Sequence, residues 1–318
     1  MNRSLHQATI RGMWLESASV VCLDVVPADG NRWPEFAPGS YIDVQLPDER
    51  VRSYSLVGRS QDGSGYRIGV KREEGGRGGS LWLHDAARLG MQMAISAPKG
   101  DFILVEEAPS SIFIAGGIGI TPLLPMMTRL NEIGRPWELH YAASRPSEMA
   151  FSGPVESLES GGGQVHTYYS DGSTHRMNVA ALVGEAADTA HLYCCGPARM
   201  IDAFVQAGSH RSAETVHFER FAADQEAAIA GGFTLELARD GRKLPVPEGK
   251  SVLDVLLDAG VEVPYSCGQG VCGSCQTRVL AGEPDHRDCF LTEAERAAND
   301  SMLVCCSGAR SPSLVLDL

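Results

Sequence analysis

Residues 267–275 read CGQGVCGSC, three cysteines and three glycines among nine residues. Cys267, Cys272 and Cys275 follow the spacing C-x4-C-x2-C, and Cys305 stands after 29 intervening residues. That is the ligand spacing of a [2Fe–2S] cluster. Such a cluster is a small rhomb of irons and bridging sulfides, so the loop must wrap it and aim backbone N–H groups at the sulfurs. Gly268, Gly270 and Gly273 allow the positive φ angles and close approach this needs. Structural zinc prefers short-spaced pairs, C-x2-C with C-x2-C. Here the first gap is four and the last ligand stands apart, which favours the cluster. Cys305 and Cys306 are adjacent, and only one of them can be the fourth ligand.

Outward from this loop, FTLELARDGRKLPVP (233–247) alternates as two strands around the turn Asp240-Gly241. SVLDVLLDAG (251–260) reads as a helix with Ser251 as N-cap, a stripe of Val252, Leu253, Val255 and Leu256, and Gly260 as the stop. After the cysteines, QTRVLAG (276–282) is strand-like, TEAERAA (292–298) opens with the capping box Thr292/Glu295, and SLVLDL (313–318) closes as a strand. Strands around a helix with a cysteine loop resemble a plant-type ferredoxin of the β-grasp fold, over about residues 231–318. In that family the fourth ligand leads a C-x-S-x-A segment, matched by Cys305-Cys306-Ser307-Gly308-Ala309, so the resemblance implies Cys305. Gly308 stands where members often carry Arg. Cys306 and Cys289 are then expected to be small buried residues.

In the middle of the chain, SIFIAGGIGITPLLPMMTRL (111–130) offers a strand, a Gly-rich turn and a helix with Pro122 in first position. A strand–loop–helix of this kind presents backbone donors to a diphosphate. The pattern is G-x-G-x-x-P (Gly117, Gly119, Pro122), which alone could equally be a tight structural turn. Pro125 costs an N–H near the first turn, and the sequence offers no reason for it. WELHYAASRP (137–146) reads as a second strand ending at Ser144-Arg145. AHLYCCGPARMIDAF (190–204) reads as a third strand, the turn Cys195-Gly196-Pro197 and a helix. The alternation predicts an α/β doubly wound parallel sheet with ligands at the strands' carboxyl ends. It resembles the nucleotide domain of the ferredoxin–NADP reductase superfamily, where the C-G-P turn lies beside the nicotinamide. That resemblance implies a nucleotide site lined by Gly117, Gly119, Ile120, Thr121, Gly196 and Pro197, with Cys195 in a catalytic position.

The N-terminal third carries short alternating runs: SVVCLDVVP (19–27), SYIDVQLP (40–47), RSYSLVG (52–58), YRIGVKR (66–72) and MQMAISAP (91–98). These predict an antiparallel β-barrel. RSYS matches the superfamily's flavin motif R-x-Y-S. The match implies Arg52 for the flavin phosphate, Tyr54 beside the ring and Ser55 at the catalytic N5 edge. Ser53, Val70 and Lys71 are expected to line the same site. In GGRGGSLWLHDAARLG (75–90), Gly78, Gly79 and Ser80 lead into a helix ending near Gly90, a start suited to an anion.

The 318 residues suffice for three domains, expected at 1–105 (FMN-binding β-barrel), 106–225 (NAD-binding α/β) and 226–318 ([2Fe–2S] ferredoxin). A formal charge of −13 argues against nucleic acid or an anionic membrane as partner. The opening MNRSLHQATIRGMWLESASV lacks the apolar core of a signal peptide, so a soluble cytoplasmic protein is expected. Its nine cysteines are then thiols or metal ligands. The whole order resembles the phthalate dioxygenase reductase family, including vanillate O-demethylase reductases. AGGIGITP (115–122), YCCGP (193–197), VHFERF (216–221), GVCGSC (270–275) and LVLDL (314–318) carry the match. It implies FMN, NADH as donor, and the Rieske centre of a partner oxygenase as acceptor. It further implies a monomer, with Phe221 stacking on the flavin and AADQEAAIAGG (222–232) as linker. NADH yields two electrons as hydride, a Rieske centre takes them singly, and a flavin converts between the two. A cytochrome P450 or diiron monooxygenase as partner, or a redox-sensor role, are the alternative readings.

Overall fold

The computed structural model describes residues 5–46, 51–75, 78–221, 227–265 and 267–318. Two compact units adjoin in sequence between Arg220 and Phe221. The expected domain limit at 225/226 and the first part of the linker, Ala222 to Glu226, lie outside the described residues.

The alternating runs of the N-terminal third close into an antiparallel barrel. Its strands are β1 (Leu5–Leu15), β2 (Val20–Pro27), β3 (Tyr41–Gln45), β4 (Val51–Arg59), β5 (Tyr66–Lys71) and β6 (Gln92–Ser96), in the order β1-β2-β5-β4-β3-β6. Ile10, Leu23, Ile42, Leu56 and Ile68 fill its interior. The strand absent from the sequence reading is β1. It buries only Ala8 and Ile10 completely, and a register shift between Ile10 and Gly12 breaks its alternation. Helix α1 (Gly79–Asp85) sends Leu83 into the barrel core. It stops at Asp85, short of the expected Gly90, where Ala86 and Ala87 both donate to Trp82 O.

The same unit continues into a parallel sheet. Its elements are β7 (Ser111–Gly116), α2 (Leu123–Glu132), β8 (Trp137–Ala143), α3 (Ser152–Glu159), β9 (Gln164–Tyr169), α4 (Val179–Glu185), β10 (His191–Cys195), α5 (Ala198–Gly208) and β11 (Val216–Glu219). The order β11-β10-β7-β8-β9 means that the chain builds outward from β7 and then returns to its other side. The reversal leaves a crevice beyond the carboxyl ends of β7 and β10. Under α4 and α5, Ile114, Leu192 and Cys194 of the sheet pack against Val183, Ile201 and Phe204. Pro122 is the cap residue before α2, not its first residue, because a 3-10 turn occupies Gly117–Ile120. This explains Pro125. It is the third residue of α2, and the first four N–H groups of a helix have no intrahelical partner to lose.

Barrel and sheet meet at Gly69 of β5. A Cβ there would lie 2.7 Å from the Phe151 ring and 3.0 Å from Thr121 Cγ2. Phe151 holds a left-handed φ of 60° just before α3 and is fully packed, so its ring is wedged against the barrel.

The C-terminal unit is a mixed sheet, β13-β12-β18-β14-β16, with β12 and β18 parallel at its centre. The strands are β12 (Phe233–Leu237), β13 (Lys243–Val246), β14 (Gln276–Ala281), β16 (Ser301–Leu303) and β18 (Ser313–Leu316), with the short pair β15 (Pro284–Asp285) and β17 (Gly308–Ala309). Helix α6 (Val252–Asp258) turns its predicted apolar stripe onto Leu235, Leu237, Leu314 and Leu316. It begins with a complete Ser251/Asp254 capping box, and α7 (Glu293–Ala298) with a Thr292/Glu295 box. Each cap contributes about 1 kcal/mol. Among the described residues no helix is long and apolar enough to cross a membrane.

Candidate functional site

At the sheet's crevice two loops touch so closely that neither tolerates a side chain. A Cβ on Gly119 would sit 2.1 Å from Cys195 O, and one on Gly116 would sit 2.5 Å from Pro197 Cδ. One on Gly196 would meet Met200 Sδ at 2.8 Å. Gly117 differs: its φ is +54° with open space around it, and its carbonyl and that of Ala150 share the Tyr141 hydroxyl at 3.0 and 3.1 Å. Thr121 is buried and donates to Ile118 O at 2.9 Å, which closes the turn, and Ile120 is buried beside it. Gly117, Gly119, Ile120, Thr121, Cys195, Gly196 and Pro197 are thus neighbours at one strand-end crevice. The glycines let the two backbones meet and leave backbone groups on its rim.

On the barrel side, β4 alternates Arg52 and Tyr54 on one face with Ser53 and Ser55 on the other. The Arg52 stem lies against Gly79, where a Cβ would fall 2.6 Å from Arg52 Cγ. The motif arginine and Gly79 of the glycine segment, 27 residues apart in sequence, are therefore in contact. Gly78, with φ of 73°, turns the chain into α1 there. Ser80 Oγ accepts from Glu73 N at 3.1 Å and so anchors the loop between β5 and α1. Tyr54 packs against the barrel core, and burial lifts its phenol to about 12. Ser53 donates to Asp43 at 2.8 Å, and Asp43 also pairs with Lys99 at 2.6 Å, so this hydroxyl is engaged within the barrel. The Val70 side chain lies in the barrel core and its carbonyl accepts from His84 Nε2 at 2.9 Å. Lys71 pairs with Glu73 at 2.6 Å. Phe221 is the half-buried first residue of the C-terminal unit.

Ser55 is buried on the face of β4 that meets the nucleotide sheet, and its hydroxyl points to Glu219 Oε2 across a long 3.4 Å contact. Glu219 lies opposite Cys195 in the β10/β11 register. Desolvation lifts the Glu219 carboxyl to about 8, although the residue as a whole is only half-buried, and the Ser55 contact opposes the rise. The Cys195 thiol is fully buried, and burial followed by the Glu219 charge pushes it well up, so it stays protonated. Glu219 stands two residues before Phe221 within VHFERF, where the resemblance gives it no role. Its signal was an acidic residue ending an otherwise strand-like VHFE.

The raised value has a consequence for stability. The folded carboxyl holds its proton to higher pH than the unfolded one, whose value is near 4.5. Its contribution is full below pH 4.5 and is lost as pH rises through about 8. In flavin-free protein, Glu219→Gln is expected to flatten the fall in the N-terminal unit's thermal midpoint across that window. An unchanged pH profile would place the carboxyl's titration elsewhere.

In the C-terminal unit Gly268, Gly270 and Gly273 have φ of 63°, 74° and 71°, as the wrapped loop requires. Backbone N–H groups point at the sulfurs: Gly270 N to Cys305 Sγ at 3.2 Å, Gln269 N to Cys267 Sγ at 3.3 Å and Cys267 N to Cys272 Sγ at 3.5 Å. Cys267, Cys275 and Cys305 are buried while Cys272 is partly exposed. A thiolate set cradled by N–H donors fits a [2Fe–2S] cluster, whose negative charge those donors offset. Cys306 is buried and packs under Gly270, where a Cβ would lie 2.5 Å from its sulfur. Cys289, expected to be buried, is only half-buried, because its N–H is drawn up to Gly270 O at the loop's edge.

Comparison with known proteins adds to this geometry. Residues 235–310 match the 2Fe-2S iron-sulfur cluster binding domain, and 113–206 match the oxidoreductase NAD-binding domain. The chain is 47% identical over 283 residues to phenoxybenzoate dioxygenase subunit beta of Ectopseudomonas oleovorans, covering 89% of this chain and 88% of that one. It is 40% identical over 318 residues to the vanillate O-demethylase oxidoreductase of a Pseudomonas species, covering 98% and 99%. Among solved structures, phthalate dioxygenase reductase, described as modular for electron transfer from pyridine nucleotides to [2Fe–2S], aligns with a TM-score of 0.84. Its identity is 35%, over 99% of this chain and 98% of that one.

Proposed function

The chain belongs to the phthalate dioxygenase reductase family, and on that premise we propose that it delivers single electrons to a Rieske-type oxygenase. It is an oxidoreductase that uses NADH, FMN and a [2Fe–2S] cluster. When bound, FMN would supply the chemistry that takes electrons in pairs from a nicotinamide and gives them up singly. The observation that carries the reading is the presence on one chain of a glycine-lined nucleotide crevice and a cysteine loop with N–H groups on its sulfurs.

Within this reading Arg52 holds the FMN phosphate beside Gly78, Gly79 and Ser80, and Tyr54 with Ser53, Val70 and Lys71 shapes the flavin pocket. Ser55 presents its hydroxyl at the reacting edge. Gly117, Gly119, Ile120, Thr121, Gly196 and Pro197 receive the nucleotide. The Cys195 thiol, neutral and buried, serves as a compact wall beside the nicotinamide and not as a nucleophile. Phe221 covers the flavin. Cys267, Cys272, Cys275 and Cys305 hold the cluster, and the protein works as a cytoplasmic monomer.

Arg52→Ala is expected to weaken FMN retention about 10- to 100-fold, the worth of a charge-assisted contact. Flavin released by equilibrium dialysis measures it, and full retention would exclude Arg52 as the phosphate ligand. The partner is tested by mixing the protein anaerobically with NADH and a purified Rieske-type aromatic oxygenase. Appearance of the reduced Rieske signal by electron paramagnetic resonance is expected. An oxygenase that stays oxidised while a cytochrome P450 is reduced would reassign the partner.

A further inference from the structure

Mid-strand on the outer half of the nucleotide sheet, two imidazoles and a carboxylate converge. Parallel pairing sets His140 of β8 directly beside His166 of β9, and Glu138 lies two residues before His140 on the same face. Glu138 Oε1 is 3.0 Å from His140 Nε2 and 2.9 Å from His166 Nε2. The ligand atoms of all three residues lie within 4.8 Å of one another. The two rings are stacked, with centroids 4.8 Å apart and planes 11° from parallel. Among the described residues no lysine or arginine pairs with Glu138.

We propose that Glu138, His140 and His166 form a binding site for a divalent transition-metal ion of the zinc class. Two imidazole nitrogens and a carboxylate oxygen are three protein ligands of a tetrahedral zinc site whose fourth position is open to water. Imidazole also suits copper and nickel, whereas magnesium and calcium prefer an all-oxygen set. His140 is 5% exposed, and its other nitrogen, Nδ1, lies 3.0 Å from the Tyr168 hydroxyl. That contact is the outer-shell partner which fixes the ring of a metal-bound histidine. Binding requires Nε2 without a hydrogen. The ring proton then resides on Nδ1 and donates to the Tyr168 oxygen, so His140 changes tautomer without releasing a proton. His166, with 46% of its side chain exposed, provides the entry path.

The site has a structural use. Strand β9 is the edge of the sheet and has β8 as its neighbour on one side only. A metal shared by His140 and His166 ties the edge strand to β8. An ion that binds the folded state alone stabilises it by mass action.

The test is a zinc titration of the cluster- and flavin-loaded protein by calorimetry, with the cluster absorption followed in parallel. One zinc per chain is expected, with the cluster spectrum constant. Loss of an outer-shell partner costs roughly 10- to 100-fold in metal affinity, so loss of a direct ligand should cost more than about 100-fold. Glu138→Gln and His166→Ala should each show that loss while keeping flavin and wild-type ferricyanide reduction. Neither substitution removes a buried side chain, so the fold should persist, and flavin content verifies it. Absence of zinc binding in the wild type, equal binding in both variants, or zinc uptake that tracks bleaching of the cluster would each overturn the proposal.

Discussion

Cys272→Ser is expected to leave NADH-driven ferricyanide reduction near its wild-type rate and to abolish cytochrome c reduction. Hydride acceptance needs the barrel and the nucleotide sheet, which form one compact unit ending at Arg220. Cys272 belongs to the other unit and is the partly exposed member of the proposed ligand set. Serine replaces a soft thiolate with a hydroxyl that binds iron poorly. The loop then loses its metal, and because metal binding and folding are coupled its surroundings loosen. Since disturbing even an outer-shell partner costs roughly 10- to 100-fold, one-electron delivery should fall by at least about 100-fold. Loss of flavin reduction to the same degree, in protein that still holds FMN, would contradict a linear order of carriers. Survival of oxygenase turnover without the cluster would make the flavin the direct donor.

Gly119→Ala is expected to cut the rate of flavin reduction by NADH about 100-fold, the cost of misplacing reacting groups by roughly 1 Å. The added methyl would lie 2.1 Å from Cys195 O and 2.7 Å from Gly196 N. Both are backbone atoms, so no rotamer change relieves the clash and one loop must move. Gly117→Ala is the contrast. Its Cβ meets nothing within 4 Å, and it carries only the left-handed strain of about 1–2 kcal/mol. Flavin and cluster should be retained in both variants, since neither residue lies in the barrel or the cysteine loop. Equal rates in the two would mean that the contact between the loops does not position the nucleotide.

The cysteine loop was legible in the sequence because its chemistry is local. Spacing marked Cys267, Cys272 and Cys275 as candidate ligands, and Gly268, Gly270 and Gly273 take the positive φ expected of them. The caps at Ser251 and Thr292 were legible for the same reason, since each is completed within three residues. Harder to read were features made by register and packing. The irregular burial of β1 hid a strand, and the 3-10 turn that delays α2 hid the harmlessness of Pro125. Glu219 gains its raised proton affinity from desolvation where β11 packs beside β10, against the opposing Ser55 contact, and no neighbouring residue announces that burial. Likewise His140 and His166 become neighbours only when β8 and β9 pair in parallel.

The central claim, that this chain passes electrons from NADH through a flavin to a [2Fe–2S] cluster, is tested most directly by rapid anaerobic mixing of the purified protein with NADH under absorption detection. Flavin and iron–sulfur bands should both be present at the start. The flavin band should bleach first and the cluster band should follow. A protein without either band, or a flavin that NADH reduces while the cluster stays oxidised, would contradict the claim.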